Sequence, residues 1–410
     1  MRRTMNRLLS RSVPMLCSAV PGLPAPCTTL TEDEKMLQSS VREFALQHVQ
    51  PRVLKMDEAA KMDPVVIQEA FKAGLMGIET PADLQGSGMS FFGSILAIEQ
   101  LARVDGATSV MIDVQNTLVN NIFFRYANAA QKAKYLPRLA QDTIGCFCLT
   151  EPSSGSDAFA LKTRAEKKGD SYVLNGSKIF ITNGGEANIF LVMATVDPSK
   201  GYKGITCFVV DSREQKGVSV GRLEHKLGIR ASSTAELNFD NVVVPAENVI
   251  SEVGKGYKIA IEILNEGRIG IASQMVGIAQ GAMDATMPYL FQRKQFNTAI
   301  GDFQGMQFQY AQAAMEIHAA RLMVYNAARK KDNGEAFVED AAMAKLFASQ
   351  VAERTASKCI EWMGGVGFTK DYHVERFYRD AKIGAIYEGT SNIQLHTLAK
   401  FVKDRYAQKQ

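Results

Sequence analysis

The spacing of apolar residues changes twice along this 410-residue chain, and these changes constrain its fold more than any other feature. Residues 32–141 place apolar side chains at the interval typical of amphipathic helices. Residues 144–245 change to alternation and β-branched runs, and Asn175-Gly176 between two such runs predicts a hairpin turn. Helical spacing returns from Gly256, so the order of elements predicts a multidomain α+β protein ending in a four-helix bundle. The four long helical stretches are residues 257–293, 304–332, 339–364 and 391–405.

The first 31 residues differ in composition from the rest of the chain. They contain four arginines and no Asp or Glu, and these arginines equal the whole formal net charge of +4. Such a segment is typical of a mitochondrial transit peptide, and a disordered or cytosolic basic tail is the alternative. We therefore expect localisation in the mitochondrial matrix. The balanced charge of the remainder gives no case for nucleic-acid binding.

The other boundaries follow from the two changes of pattern. We predict a helical N-terminal domain at residues 32–143, a middle β-domain at residues 144–254 and a C-terminal helical domain at residues 255–410. Each is large enough to bury its own core. No apolar run approaches the roughly 18 residues that span a bilayer, so no membrane insertion is expected.

The motifs that are missing argue against several enzyme classes. The sequence has no GxSxG, Walker, HExxH or GxGxxG pattern, which argues against α/β-hydrolases, P-loop enzymes, zinc hydrolases and Rossmann dehydrogenases. Its five histidines are scattered, and its cysteines show neither metal spacing nor a disulfide framework. No metal site is therefore expected.

Four polar, glycine-punctuated stretches are candidates for chemistry, at residues 148–157, 265–268, 361–368 and 385–390. The first could cradle an anion, the second could offer an inward arginine, and the glycines of the third could admit a ligand to the backbone. Glu388 in the fourth is a lone carboxylate in apolar company, where burial raises its pKa and favours a strong base. Taken singly, these stretches could also be a capped loop, an ion pair, helix caps and a helix N-terminal acid.

In their order, spacing and residue sequence, these four stretches together resemble the acyl-CoA dehydrogenase family. Residues 148–160 and 361–380 match its signatures, and the resemblance extends from about residue 32 to residue 406. It implies an N-terminal all-α domain, a middle β-barrel or sandwich domain and a C-terminal four-helix bundle. It also implies FAD as cofactor, an acyl-CoA substrate and electron-transfer flavoprotein as electron acceptor. A homotetramer is implied as well, with the adenine half of FAD held by a neighbouring subunit.

The same resemblance implies cofactor contacts by position. Phe180 stands where many relatives place a Trp beside the flavin, and Glu361 stands where some carry Gln. A contact through the backbone of residue 361 would be unaffected by that change. The implied contacts to the flavin are Phe147, Leu149, Thr150, Ser156, Phe180, Ile181 and Thr182; those to pyrophosphate and adenine across subunits are Arg293, Phe296, Gln304, Glu361, Gly364 and Gly365; and Thr390 and Asn392 are further FAD contacts.

Glu388 falls where most of the family keeps its catalytic base. The resemblance implies that Glu388 removes the α-proton of a bound acyl-CoA while the β-hydrogen leaves as hydride to the flavin, giving a trans-2-enoyl-CoA. Two donors would stabilise the thioester oxygen, a ribityl hydroxyl of FAD and the backbone N–H of Glu388. A minority branch takes its base from the position of Gly267, which cannot serve here. The adjacent Glu266 should point about 100° away on a regular helix.

Within the family, the wording at residues 115–118, 265–270, 359–367 and 381–384 is closest to members that act on short and 2-methyl-branched chains. This resemblance implies 2-methylbutyryl-CoA, from isoleucine breakdown, and short straight-chain acyl-CoAs as substrates, with residues 112–118 near the acyl chain. The implied substrate contacts are Ser156, Tyr202, Tyr257, Asn265, Glu266, Gly267, Arg268 and Gly389.

Three other functions compete with this interpretation. The same chemistry could run in reverse as a 2-methyl-branched enoyl-CoA reductase, which requires the same residues. An acyl-CoA oxidase would pass electrons to oxygen, but the leader and the absence of a Ser-Lys-Leu ending argue against it. A non-catalytic flavoprotein scaffold would not need Glu388.

Overall fold

The computed structural model describes residues 26–407. Residues 1–25, which make up most of the predicted transit peptide, lie outside the described residues. Along the described chain, helices are followed by a β-sheet and then by helices again. This confirms the α+β order predicted from apolar spacing.

Seven α-helices form the first part of the described chain, and polar side chains cap several of their N-termini. Thr31 accepts a hydrogen bond from the Glu34 N–H while the Glu34 carboxylate accepts one from the Thr31 N–H. Ser90 accepts one from the Gly93 N–H, so the turn-rich stretch before it ends where a buried helix begins. The helices are α1 (Glu32–Phe44), α2 (Val53–Ala59), α3 (Pro64–Lys72), α4 (Phe91–Ala102), α5 (Gly106–Asp113), α6 (Asn121–Tyr126) and α7 (Ala129–Gln141).

Eight strands in the middle of the chain form one sheet, in the order β6-β7-β3-β2-β4-β5-β8, and β1 pairs parallel to β4. A two-stranded hairpin, β9 and β10, lies further along the chain. The strands are β1 (Gly145–Cys148), β2 (Arg164–Lys168), β3 (Ser171–Thr182), β4 (Ile189–Thr195), β5 (Ile205–Asp211), β6 (Val218–Leu223), β7 (Thr234–Pro245), β8 (Val249–Ile250), β9 (Lys294–Gln295) and β10 (Thr298–Ala299).

The hairpin predicted at Asn175-Gly176 is wrong. Both residues lie inside β3, where the register with β7 shifts between Leu174 and Gly176. A Cβ atom on Gly176 would lie 2.8 Å from the Thr163 Cα atom, so this position needs a glycine. An Asn-Gly pair therefore marks an irregularity in a long strand rather than a turn, because β3 pairs on both sides, with β2 and β7.

Five α-helices form the last part of the described chain, and four of them match the long stretches predicted from the sequence. The central one, α8, is buried along most of its length because it packs against α4, α9 and α10. The short α11 was not predicted as a separate helix. The helices are α8 (Gly256–Gln292), α9 (Gln304–Asp332), α10 (Val338–Met363), α11 (Val374–Ala381) and α12 (Ser391–Ala407).

Two buried apolar clusters hold these elements together. One is continuous through both groups of helices and includes one face of the sheet, while the other lies on the opposite side of the sheet. Within residues 26–407, no helix is both long and apolar enough to cross a bilayer. The same residues contain no group of three His, Cys, Asp or Glu side chains placed to hold a metal ion.

Candidate active site

Glu388 lies in a tight turn between α11 and α12. Glu388 and Gly389 both have positive φ, at 52° and 85°, a conformation that is costly for a residue other than glycine. Side chains from two helices hold this turn. Lys345 Nζ on α10 donates to the Gly389 carbonyl at 2.7 Å, and Gln394 Nε2 on α12 donates to the carbonyls of Gly389 and Glu388 at 2.9 and 3.2 Å. The surrounding helices therefore fix a strained backbone at the predicted catalytic residue.

The Glu388 carboxylate faces into the protein with one oxygen unsatisfied. Its Oε2 atom is buried and has no hydrogen-bond partner among residues 26–407. Burial raises the pKa of Glu388 to about 7, against the opposing charges of Lys345 and Arg268, which lower it. A buried carboxylate with a free oxygen and a pKa near neutrality can accept a proton at physiological pH.

Gly267 on α8 makes room for this carboxylate. A Cβ atom on Gly267 would lie 2.7 Å from Glu388 Oε2 and 2.9 Å from Leu118 Cδ2. Gly267 stands at the position from which a minority branch of the acyl-CoA dehydrogenase family takes its base. In this chain that position borders the carboxylate of Glu388. Only one of the two positions can carry a side chain without displacing the other.

Two further polar groups, Asp113 and Tyr387, lie near Glu388. Asp113, at the end of α5, accepts a hydrogen bond from Thr117 Oγ1 at 2.8 Å, and burial raises its pKa well above the usual range, with a further rise from the charge of Glu388. The Tyr387 hydroxyl donates to Gln274 Oε1. Burial also raises the pKa of Tyr387, so desolvation disfavours the ionised form of both groups beside the base.

Residues 112–118 do not turn their amides toward this pocket. Gln115 binds the Leu139 and Thr143 carbonyls and the Gly145 N–H, and Asn116 binds the Leu75 carbonyl. This part of the chain, Val114–Asn120, is a π-helical segment, which is often found at functional sites. Of the predicted acyl-chain residues, Leu118 is the one whose side chain borders Gly267.

The polar side chains of residues 265–268 on α8 lie in two different environments. Arg268 Nη1 donates to Asn265 Oδ1 at 2.9 Å, and Arg268 Nε is buried without a partner in the described part of the chain. Glu266 is 0% exposed and accepts hydrogen bonds from Arg125 and Asn121. Its carboxylate is therefore engaged in a structural network, as expected for a residue one position away from the pocket face of a helix. A substrate contact by residue 266 stays a prediction.

The loop after β1 is fixed by a buried ion pair. Lys178 Nζ donates to Glu151 Oε1 at 2.7 Å and to the Leu149 carbonyl at 3.1 Å, and Lys178 is 0% exposed. Glu151 also accepts hydrogen bonds from the N–H groups of Lys162 and Thr163. The predicted flavin contacts at Leu149 and Thr150 thus lie on a rigid segment at the end of a strand.

The other predicted flavin contacts lie on β1, on β3 and in the loop after β1. Phe180 is 59% exposed and has a φ of 57°, an unusual conformation for a bulky residue. Ile181 is buried and Thr182 is partly buried at the end of β3. Phe147 is buried on β1, whereas Ser156 is exposed in the loop. Phe180 therefore offers a free aromatic face next to a rigid strand.

A second set of predicted FAD contacts lies on exposed parts of the C-terminal helical region. Among residues 26–407, no hydrogen bond or ion pair joins this set to Glu388 or Thr150. Phe296 is 91% exposed, and a Cβ atom on Gly364 or Gly365 would meet open space. The exposed or helix-terminal residues of this set are Arg293, Phe296, Gln304, Glu361, Gly364, Gly365, Thr390 and Asn392.

Glu361 does not present a free carboxylate. Its Oε2 atom accepts a hydrogen bond from Lys358 Nζ at 2.7 Å, and its carbonyl accepts one from the Gly364 N–H. The negative charge that Glu361 brings to a position where some relatives carry Gln is therefore partly neutralised by Lys358. A contact through the backbone of residue 361 remains a prediction.

Tyr202 and Tyr257 pack against each other edge to face, with ring centroids 4.7 Å apart. Phe159 approaches Tyr257 in the same manner at 6.3 Å. Tyr202 is 47% exposed, so this aromatic cluster lies at the surface between the loop after β1 and the start of α8. The structure thus brings together two of the predicted substrate contacts.

Sequence reasoning missed the two buried lysines, Lys178 and Lys345, and it gave Asp113, within the predicted acyl-chain residues 112–118, no role of its own. Each lysine lies in a segment whose pattern predicts a strand or an amphipathic helix, where a lysine indicates the solvent face. One sequence feature could have indicated that Lys345 is buried. Lys345 and Ser349 are spaced one helical turn apart on the same face of α10 as the buried alanines, so a period of 3.6 residues places both on the apolar face.

Comparison with known proteins adds an independent observation. Three family models match the chain, describing the N-terminal, middle and C-terminal domains of acyl-CoA dehydrogenase, at residues 31–143, 146–242 and 254–403. The mitochondrial short/branched chain specific acyl-CoA dehydrogenase of Rattus norvegicus is 54% identical over 382 residues, covering 93% of this chain and 88% of that protein.

Two solved structures are similar to the whole described fold. Butyryl-CoA dehydrogenase from Megasphaera elsdenii is 40% identical with a TM-score of 0.89, covering 91% of this chain and 99% of that chain. A glutaryl-CoA dehydrogenase from Mycobacterium smegmatis in complex with FADH2 is 30% identical with a TM-score of 0.86, covering 92% and 95%.

Proposed function

The chain belongs to the acyl-CoA dehydrogenase family, and on that premise we propose that it oxidises short, 2-methyl-branched acyl-CoA thioesters to trans-2-enoyl-CoAs with FAD as cofactor. One observation carries the catalytic part of this proposal. It is the buried, unpartnered Oε2 atom of Glu388, whose pKa is raised by burial to about 7.

Glu388 acts as the base. Its free oxygen accepts the α-proton of the bound thioester, and a pKa near 7 makes the ionised form available at neutral pH. The backbone N–H of Glu388 makes no hydrogen bond within residues 26–407, so it is free to donate to the thioester oxygen as negative charge develops there. The same turn thus supplies both the base and an oxyanion donor.

The residues present fit an extended FAD. Phe180 keeps an exposed face in a strained backbone conformation beside the rigid Leu149–Thr150 segment, which suits stacking against a planar ring. When bound, FAD supplies the acceptor for the β-hydrogen and its electron pair. Phe147, Leu149, Thr150, Ser156, Ile181 and Thr182 would hold the flavin end.

A second copy of the chain completes the cofactor site in this proposal. Arg293, Phe296 and Gln304 are exposed, and the described chain gives them no link to the Glu388 pocket. The family resemblance assigns these residues to FAD bound in a neighbouring copy, so in this proposal FAD is shared between copies of a homotetramer. Thr390 and Asn392 at the start of α12 would bind the cofactor near Glu388.

The substrate class, partner and location rest on the relatives. The rat enzyme named above acts on short or branched chains in mitochondria by its description, and the acid-free, arginine-containing leader of this chain agrees with import. We therefore place the enzyme in the mitochondrial matrix, in the oxidation of the 2-methylbutyryl-CoA that isoleucine breakdown produces. Electron-transfer flavoprotein is the proposed acceptor.

The test is anaerobic mixing of purified FAD-loaded enzyme with a panel of acyl-CoAs, following the flavin absorption band at about 450 nm. The panel contains 2-methylbutyryl-, isobutyryl-, butyryl- and octanoyl-CoA. We expect the fastest bleaching with 2-methylbutyryl-CoA. Faster bleaching with another chain would change the substrate class, and no bleaching by any member would contradict the proposed function.

Removing Tyr257 from the aromatic cluster is expected to weaken acyl-CoA binding without slowing the chemical step. If Tyr257 contacts the substrate as predicted, an aromatic contact contributes about 0.5–1.5 kcal/mol, so Tyr257→Leu should raise KM about two- to tenfold. Flavin reduction at saturating substrate should change little, because Tyr257 lies about 15 Å along α8 from Gly267, the residue that borders the Glu388 carboxylate. Steady-state kinetics measure both quantities, with Tyr406→Leu on the exposed end of α12 as the control.

A fall in the saturating rate with unchanged KM would contradict this assignment. It would show that Tyr257 stabilises the transition state of the chemical step rather than binding substrate and transition state equally.

A further inference from the structure

Lys345 lies under the Glu388 turn without an ion pair of its own. It is 0% exposed on α10, its Nζ atom donates to the Gly389 carbonyl at 2.7 Å, and no carboxylate oxygen of residues 26–407 lies within 4.0 Å of it. One turn along α10, Ser349 Oγ donates to the Gly384 carbonyl at 2.8 Å. Two side chains of α10 thus bind residues 384–389, the segment that contains Glu388.

A hydrogen bond to a carbonyl does not require a lysine. An amide or hydroxyl could donate to the Gly389 carbonyl without the large cost of burying a positive charge. Burial lowers the pKa of Lys345 to about 8, and the charge of Glu388 opposes this shift. The same interaction lowers the pKa of Glu388. The placement of a cation here is therefore coupled to the ionisation of the proposed base.

We propose that Lys345 is a positioning residue for Glu388, which fixes the Gly389 carbonyl and favours the ionised form of the base through its positive charge. This inference rests on the proposed role of Glu388. Because Lys345 hydrogen-bonds to the Gly389 carbonyl, the directions of the Glu388 carboxylate and backbone N–H depend on it. In this proposal Lys345 acts on Glu388 through the turn and through its charge, and is not itself a reacting group.

The other groups that act on Glu388 are few. Arg268 on α8 also favours the ionised carboxylate, whereas burial raises the pKa of Asp113 on α5 and of Tyr387 in the same turn, with a further rise from the charge of Glu388. Loss of the Lys345 charge leaves Arg268 as the remaining cation and raises the pKa of Glu388. Below that pKa the base is protonated, so the rate falls most at low pH and recovers as pH rises.

The test compares three variants by the pH dependence of flavin reduction under 2-methylbutyryl-CoA. Lys345→Gln keeps a donor to the Gly389 carbonyl but loses the charge, and Lys345→Arg keeps the charge. Ser349→Ala removes the neighbouring hydrogen bond to the same segment and serves as the structural control. We expect Lys345→Gln to move the midpoint upward by about one pH unit, which makes flavin reduction about tenfold slower well below the midpoint.

Lys345→Arg should keep the wild-type midpoint even if its maximal rate is lower, because a larger group enters a buried site. Ser349→Ala should keep the midpoint while lowering thermal stability. An FAD-loaded Lys345→Gln enzyme with the wild-type midpoint would overturn the proposal. If Lys345→Gln does not fold, an upward shift in Lys345→Arg would overturn it, because the charge is retained there.

A second readout requires no turnover. The pKa of Glu388 can be obtained from the pH dependence of the difference in thermal unfolding midpoint between each protein and its Glu388→Gln counterpart. Because the folded-state pKa is raised, the wild-type carboxylate destabilises the protein progressively as pH rises toward about 7. In Lys345→Gln, the pH range over which ionisation of Glu388 destabilises the protein should extend to higher pH. If wild-type enzyme reduces no flavin, the proposed function fails, and this measurement still decides the coupling.

Discussion

Glu388→Gln is expected to slow flavin reduction by 2-methylbutyryl-CoA by about 10²- to 10⁴-fold, the range that a positioned base contributes. The amide keeps the size of the carboxylate but cannot accept the α-proton through the oxygen that lies unpartnered in the pocket. Stopped-flow reduction of FAD-loaded enzyme at saturating acyl-CoA measures this step directly.

The pH dependence of the wild-type rate should follow the same group. Burial raises the pKa of Glu388 to about 7, so the fraction of ionised base, and with it the rate, should rise as pH increases through that value. The residual rate of Glu388→Gln should not show this limb. A bell-shaped profile would require a second group with the opposite protonation.

Glu353→Gln is the matched control for the carboxylate substitution. Glu353 lies on α10 and pairs at the surface with Lys382, which precedes the Glu388 turn, so the same chemical change is made near the same segment but outside the pocket. Its flavin reduction rate should remain close to wild type. A Glu388→Gln enzyme that retains FAD and near-wild-type reduction would contradict the base assignment and favour a scaffold.

The sequence carried enough information to predict the order of the fold and the proposed base. Long helices have a clear apolar period, so α9 was predicted with the bounds that the structure shows. Glu388 stands out as a lone carboxylate followed by glycine in an apolar segment, but that pattern also fits a helix N-terminal acid. The prediction of Glu388 as the base therefore depends on the family resemblance, whereas that of α9 depends on local pattern.

Features set by tertiary pairing were not predicted. Asn175-Gly176 favours a turn locally, but pairing of β3 with strands on both sides keeps the chain extended. The strands β2 and β6 are short and mostly exposed, so neither has the alternation of buried apolar and exposed polar residues that marks a strand. Lys345 is buried by the packing of α10 against the Glu388 turn, whereas a lysine in an amphipathic helix ordinarily indicates the solvent face.

Gly267→Ala is expected to slow flavin reduction by about 10²-fold, because small displacements of a reacting group have effects of that order. The added Cβ atom would lie 2.7 Å from Glu388 Oε2, closer than atoms that are not bonded can approach. The neighbours it meets are the ends of two side chains, Glu388 and Leu118, which can rotate away at little cost. The fold should therefore survive while the base moves.

Stability and activity should thus separate in this variant. Alanine favours the helical conformation of α8 by about 0.5–1 kcal/mol relative to glycine, which offsets part of the crowding. Thermal unfolding and FAD content should stay near wild type while the saturating rate falls. Gly305→Ala, where an added Cβ atom on α9 meets open space, provides the matched control with an unchanged rate. A Gly267→Ala enzyme that reduces its flavin within about threefold of wild type would show that the carboxylate keeps its place despite the contact, and that the pocket is wider than the Gly267–Glu388 geometry allows.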